Sequence, residues 1–383
     1  MPIFDQGYQH WNGELSGHGW RWYAIARHGV RIGMKSWILR IAIILAWLPA
    51  VGLALAVCVW GLVEQKSALA AFFLPILTDL FGPEVLADPK KYRVEIWSIF
   101  YEFFLRMEMR YSMIVVMIVG PSLISRDLRF NALPLYFSRP MRRIDYFVGK
   151  LGVIGWFLAM ALVFPSVIAY VLGLLFSLDI TIIWDTASVL LASIGYGLIM
   201  ALSAGTFILA MSSLTRNSRY VALLWVGIWF VSAIAGEAVE GAHQAQRQRA
   251  RFEHMYATRS VPQQSAKPLT RDEQIKQMNA QREAERQYWA QVEADELEEA
   301  KRDWRPMLSY TANLSRVGQG MLRTNDRWER LSELQPADQR TQFKLRSFGP
   351  GYPWYWSAAW LAVLFGISAC ILNFRVKSLD RLK

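Results

Sequence analysis

Few side chains in this sequence can do chemistry, and most of them lie in or beside long apolar runs. In WSIFYEFFLRMEMRYSMIVVMIVGPSLI the charges Glu102, Arg106, Glu108 and Arg110 crowd the first half, leaving Tyr111 to Ile124 free of charge. Charge inside a membrane-length helix is a functional suspect by default, because an ion is costly in hydrocarbon. Glu102 and Arg106 are spaced i, i+4, which predicts a pair on one helix face. Glu237 stands near the end of a later apolar run. The reading is that Glu102 and Glu237 both reach a membrane–water interface. The first half of the Glu102 helix is then at or above the outer surface, with no ionisable group clearly at mid-depth. His10, His18, His28, His243 and His254 are scattered and make no ligand set. No GxxxxGK[ST] phosphate loop, HExxH helix, CxxC pair or GxSxG elbow occurs, so this chain is expected to be neither a nucleotide-binding nor a hydrolytic enzyme. Cys58 and Cys370 fall in apolar runs at opposite depths, which predicts no disulfide and no Cys-ligated metal.

The most informative segment is PSLISRDLRFNALPLYFSRPMRRIDYFVGK, Pro121 to Lys150. It is basic, yet it carries Leu128, Phe130, Leu133, Leu135, Tyr136 and Phe137, which a loop without a contact to make would not need. A short amphipathic helix from Arg126 to Leu133, stopped by Pro134, would present Phe130 and Leu133 to a membrane surface or to a protein.

The elements that position these residues are apolar helices. The chain has 383 residues, 54% of them hydrophobic, and the apolar ones cluster in runs long enough to cross about 30 Å of hydrocarbon. Its 17 Trp and 15 Tyr suit the headgroup layer. Spans are expected near Trp37–Val63, within the Glu102 segment, and near Tyr146–Ser177, Trp184–Leu214, Tyr220–Val239 and Trp354–Phe374. The fold expected is an all-α integral membrane protein with six transmembrane helices. In the fourth span Ser193, Gly197, Ala201 and Gly205 recur every four residues, a stripe that lets another helix approach closely. A contact within the chain is its first reading, ahead of a dimer seam. Residues 1–36 are polar and aromatic, which predicts no cleavable signal. Within them Trp20 to Trp37 mixes aromatics with Arg21, Arg27, Arg31 and Lys35, as an in-plane amphipathic helix on anionic lipid would.

Residues 240–352 interrupt this pattern with a densely charged insert between spans five and six. One helix is expected to continue span five through GEAVEGAHQAQRQRARFEHMY. A second starts at Thr270, where Glu273 completes a capping box, and runs to Trp304. A spacer and a docking arm for an extracytoplasmic protein are equally open readings. After Pro306, the spacing of Met307, Tyr310, Leu314, Val317 and Met321 predicts a short amphipathic helix resting on the membrane or dipping into it. The formal charge of +11 gathers in short loops: the N-terminal segment, Arg126–Lys150, Arg216/Arg219 and the tail 375–383. Topology accounts for it and nucleic acid is not needed. Six spans put all four basic segments on one side, which predicts cytoplasmic termini and an outward insert.

The order of features resembles the ABC-2 type permeases, the membrane subunits of ABC exporters. It comprises a span ending in Pro121-Ser122-Leu123-Ile124, the pair Asp127 and Arg129, Ala132-Leu133, Ser138-Arg139-Pro140 with Arg143, and Gly149-Lys150 opening the next span. The N-terminal helix, the six spans and the amphipathic piece before span six also fit; the charged insert does not. Two departures stand out: Asp127 and Asn131 occupy positions where family members often carry Glu and Gly, and the outer loop is longer. The resemblance implies that residues 125–145 are a coupling loop, with Arg126, Asp127, Arg129, Phe130, Leu133, Arg139 and Arg143 at a joint with a separate ATPase. ATP and Mg would be bound in that partner, and this chain would hold no cofactor. It also implies a second permease chain, identical or related, and the inner membrane of a bacterium. A membrane scaffold and an ion-coupled secondary transporter are the competing classes.

Overall fold

The computed structural model describes residues 18–137, 142–177, 179–259, 302–334 and 352–377, with isolated positions between 276 and 298. Among the described residues every regular element is helical. Six helices are long and apolar enough to cross a membrane: Trp37–Glu64, Arg93–Arg129, Arg143–Ser177, Thr181–Leu214, Ser218–Gly236 and Trp354–Arg375, here spans one to six. Spans two, three and four have 37, 35 and 34 residues. At 1.5 Å per residue such rods are about 50 Å long, well beyond the hydrocarbon thickness. Span five is apolar for only 19 residues, yet its helix runs on from Ser218 to Arg259 into the insert. The second insert helix expected at Thr270–Trp304 lies largely outside the described residues.

Local breaks in the rods have chemical causes. Span three loosens into a π-helical turn at Ala159–Val163, just before Pro165. In that i→i+5 register the donor for the Met160 carbonyl would be Pro165, which has no N–H. The indole Nε1 of Trp47, on span one, donates to it at 3.0 Å instead. Glycines then set how closely rods approach. A Cβ at Gly61 would lie 2.9 Å from the backbone oxygen of Phe176, so spans one and three touch there nearly backbone to backbone.

The bundle has two unlike ends. At one, the basic loops gather: Arg216 and Arg219 are exposed, and Arg375 of span six donates to the Leu214 carbonyl at 3.2 Å, where a cation suits a helix C-terminus. At the other, spans one to four meet around Arg93. This guanidinium is 2% exposed and contacts Glu64 at 2.9 Å, Asp179 at 3.2 Å and Asp185 at 3.3 Å. Ser177 donates to the same Glu64 oxygen at 3.0 Å, and Lys90 reaches Asp179 from outside at 3.4 Å. Such a cluster is not a large net gain in stability. Removing Arg93, however, would leave Glu64 a buried, uncompensated charge at a cost of about 3–5 kcal/mol.

Between spans five and six the chain turns back into the bundle. A helix at Tyr310–Leu322, here the wedge, packs on spans two, four, five and six, with Leu314 and Val317 almost fully buried. The 3,4 spacing predicted this helix, and the structure places it inside the bundle. Arg323, in the left-handed region at φ 50°, ends it, and a cap helix follows at Thr324–Glu333.

Asp179 accepts from the backbone N–H and hydroxyl of Thr181 and then from Arg93, which holds its carboxyl well below the usual carboxylate range. A depressed carboxylate adds stability above its unfolded-state value and loses it as pH falls towards the folded one. Asp179→Asn should therefore melt earlier than the parent in detergent at neutral pH. The gap should be constant down to about pH 4 and close below it. Equal melting at pH 7 would remove Asp179 from the cluster's stabilising role.

Candidate functional site

The loop between spans two and three is built as the end of a rod. The ladder of span two is interrupted at Gly120-Pro121, where proline removes one donor. The Ser212 hydroxyl of span four repairs the break. It accepts from Ile124 N at 3.2 Å and Ser125 N at 2.9 Å and donates to the Pro121 carbonyl at 2.8 Å, so one helix caps another. Close approach is possible because Gly120 faces Ile208, where a Cβ would sit 2.5 Å from that side chain.

The helix ends at Arg129, not at Leu133 as the sequence suggested. The reversal occurs at Asn131, whose φ of 47° is left-handed. Asn tolerates that region and Gly adopts it freely, so Asn131 is a mild departure from the Gly of the resembling family. A second short helix, Leu133–Phe137, follows. Leu133 is 2% exposed and packs into the chain's own core, which corrects the expectation that it is offered to a partner. Phe130 is 69% exposed at the tip. Arg126 and Arg129 are exposed beside it, and the Arg129 guanidinium is 5.7 Å from its ring centroid.

Asp127 ties this tip to span three. Lys150 pairs with it at 2.7 Å, and the Tyr146 hydroxyl donates to it at 2.8 Å. The Lys150 ammonium also faces the rings of Tyr146 and Tyr136, at 5.3 and 5.9 Å. Burial, and then the Asp127 charge, pushes the Tyr136 hydroxyl above its ordinary range. Arg143 opens span three and is half-buried, while Arg139 lies outside the described residues. The loop is thus stapled to span three through Asp127 and to span four through Ser212.

The small-residue stripe faces span three of the same chain. A Cβ at Gly197 would meet Val163 at 2.8 Å, and one at Gly205 would meet Leu151 at 2.6 Å; Ser193 and Ala201 are buried between and beside them. The N-terminal helix, Arg21–Gly33, packs on span three as well. Gly149 lies against Ile25, Val153 against Gly29 and Phe157 against Gly33, so the two run side by side in the same direction. A helix lying flat beside an upright span would cross it once. Trp20, Tyr23 and Arg27 remain exposed on its other side.

Glu102 does pair with Arg106, at 3.1 Å, but it is 2% exposed and does not reach water as expected. Gln319 of the wedge donates to it at 3.1 Å. Arg316 donates to Gln319 at 3.1 Å and, from Nε, to the Tyr352 carbonyl at 2.7 Å. A polar chain therefore links span two, the wedge and the entry to span six. Its long-range members carry no local spacing signal. The Glu237 side chain lies outside the described set. An apolar cleft of about 840 Å³ opens between spans one and two, with Leu53, Phe103 and Trp328 among its lining residues and Asp79 as its ionisable one.

No family model matches this chain, and no curated protein is significantly similar to it. The six apolar helices support a multi-pass membrane protein.

Asp127→Ala should cost about 2–3 kcal/mol, because Lys150 is 8% exposed and would lose its counter-ion. Adding Lys150→Met should restore most of that loss in a double-mutant cycle read by thermal unfolding. Additive losses would show that the two side chains act separately.

Proposed function

We propose that this chain is the permease subunit of an ABC exporter, coupling ATP hydrolysis by a separate ATPase to export or mechanical work across the inner membrane of a bacterium. The observation that carries the reading is Phe130, exposed beside Arg129 on a rod end fastened to two neighbouring spans. An exposed aromatic beside cations suits an anchor for an apolar pocket rimmed by acidic groups. A push at this tip would move span two directly, and spans three and four through Asp127 and Ser212. Differential contact in two nucleotide states of the partner would supply the bias. ATP and Mg belong to that partner; this chain's part is to receive the movement.

The resemblance in the loop supports the same reading. The basic loops share one end of the bundle, which in this reading is cytoplasmic along with both termini. The N-terminal helix then follows the cytoplasmic half of span three, with Trp20 and Arg27 toward lipid headgroups. The exposed apolar faces of spans one, five and six meet lipid or a second permease chain. The insert carried by span five faces outward, where a protein partner can reach it. A scaffold that uses the same tip as an anchor is the competing reading, and it differs in not needing the partner's hydrolysis.

Phe130→Asp should abolish co-purification of the ATPase in mild detergent while leaving the protein monodisperse. Undiminished recovery of the ATPase would remove the coupling role from this loop. Deleting residues 245–300 tests the docking arm. Loss of an extracytoplasmic cross-linked partner with the ATPase retained is the expected result, and unchanged partners and activity would make the insert a spacer.

A further inference from the structure

Span two carries a second acid that neither the clamp at Arg93 nor the polar chain at Glu102 uses. Glu108 is completely buried, and neither of its carboxyl oxygens has a hydrogen-bond partner among the described residues. Ser112, one turn further on, is also completely buried, and its hydroxyl is a neutral neighbour rather than a counter-ion. Its depth follows from span five, whose 19 apolar residues nearly match the hydrocarbon thickness. Trp225 Nε1 donates to the Met113 carbonyl at 3.2 Å, which sets residue 113 level with residue 225. Five residues along the rod is about 7.5 Å, which brings Glu108 close to the middle of Ser218–Gly236. The crowding of charge in the first half of span two had suggested a position at or above the surface, and the packing places this acid at mid-depth.

Among the described residues no cation pairs with Glu108. From span four, Tyr196 lies within electrostatic reach of Glu108 and Glu102. The wedge contributes Tyr310, which is hydrogen-bonded to Ser203 at 3.1 Å, and Arg316, which is engaged with Gln319 and Tyr352. On span two itself, Arg106 pairs with Glu102, and Arg110 is exposed with its guanidinium 3.3 Å from the Met107 sulfur. Span one brings Glu64 to Arg93, and the cap helix brings Arg330 to Glu95 and Arg327 to the Val94 carbonyl, all toward the far end of the rod. Span three adds Tyr170, whose hydroxyl is bound by Thr186. An ionised carboxylate in this position would be buried without a partner, a state that costs several kcal/mol and is relieved by taking up a proton.

We propose that Glu108 is a proton-binding site. It holds a proton while span two is packed on span four and the wedge. When their separation admits water, the carboxyl O–H breaks, the proton passes to water and a hydrated carboxylate remains. The packed arrangement is accordingly favoured by low pH and the separated one by high pH. The site stands on the geometry of this chain alone, so it survives if the ATPase reading fails and can fail while that reading holds.

The test is infrared difference spectroscopy on the full chain in lipid, comparing wild type with Glu108→Gln and with Glu102→Gln as a control. Loss of a protonated-carboxyl carbonyl band in Glu108→Gln alone is expected; loss of a carboxylate band there would overturn the proposal. A second measurement, on wild type, does not depend on how the variant folds. An apolar carbodiimide, which reacts with protonated carboxyls in hydrocarbon, should form an adduct at Glu108 that mass spectrometry detects. Adducts confined to other carboxylates would likewise overturn it.

Discussion

The cost of burying charge governs how span two sits in this bundle. A helix that carries Arg93, Glu102, Arg106 and Glu108 cannot turn those residues to lipid, so its neighbours must supply partners or the charge must be lost. Spans one and four and the link between spans three and four supply them to Arg93 through Glu64, Asp185 and Asp179, and Ser177 of span three donates to Glu64. The wedge supplies them to Glu102 through Gln319. This accounts for the chain folding back into the bundle before span six. Without the wedge, Glu102 and Arg106 would face hydrocarbon or an open crevice.

The same rod has two differently finished ends. The Arg93 end is held by ion pairs among spans one, two and four and the adjoining links. The other end is interrupted at Pro121, is held by the Ser212 hydroxyl and the Asp127–Lys150 pair, and finishes on an exposed phenylalanine. Hydrogen bonds and one ion pair can rearrange at lower cost than a packed apolar core. The middle of the rod, between these ends, holds the unpaired acid.

Much of this plan was legible in the sequence where the signal is local. Span length and apolar content gave six helices, i, i+4 spacing gave Glu102–Arg106, and the 3,4 pattern gave the helix at Tyr310. Contacts far apart in sequence were not legible. Arg93 meets residues on spans one and four and on the link before span four, and nothing in their spacing announces it. The wedge's depth was open for the same reason, since an amphipathic pattern reads alike against lipid headgroups and against other helices. Pro134 was taken as the stop of a helix that in fact ends at Arg129, because Asn131 in the left-handed region gives a weaker signal than proline. That shift turned Leu133 inward and left Phe130 alone at the tip.

The proposed coupling role requires a nucleotide-driven partner to take hold at the Phe130 tip. The most direct measurement is photo-cross-linking in intact cells, with a photo-reactive amino acid placed at position 130 and the adduct identified by mass spectrometry. The account predicts one dominant adduct, with a polypeptide that carries a GxxxxGK[ST] phosphate loop, and none from a control probe at the buried position 133. Adducts with lipid alone, or with proteins that lack a nucleotide site, would contradict it.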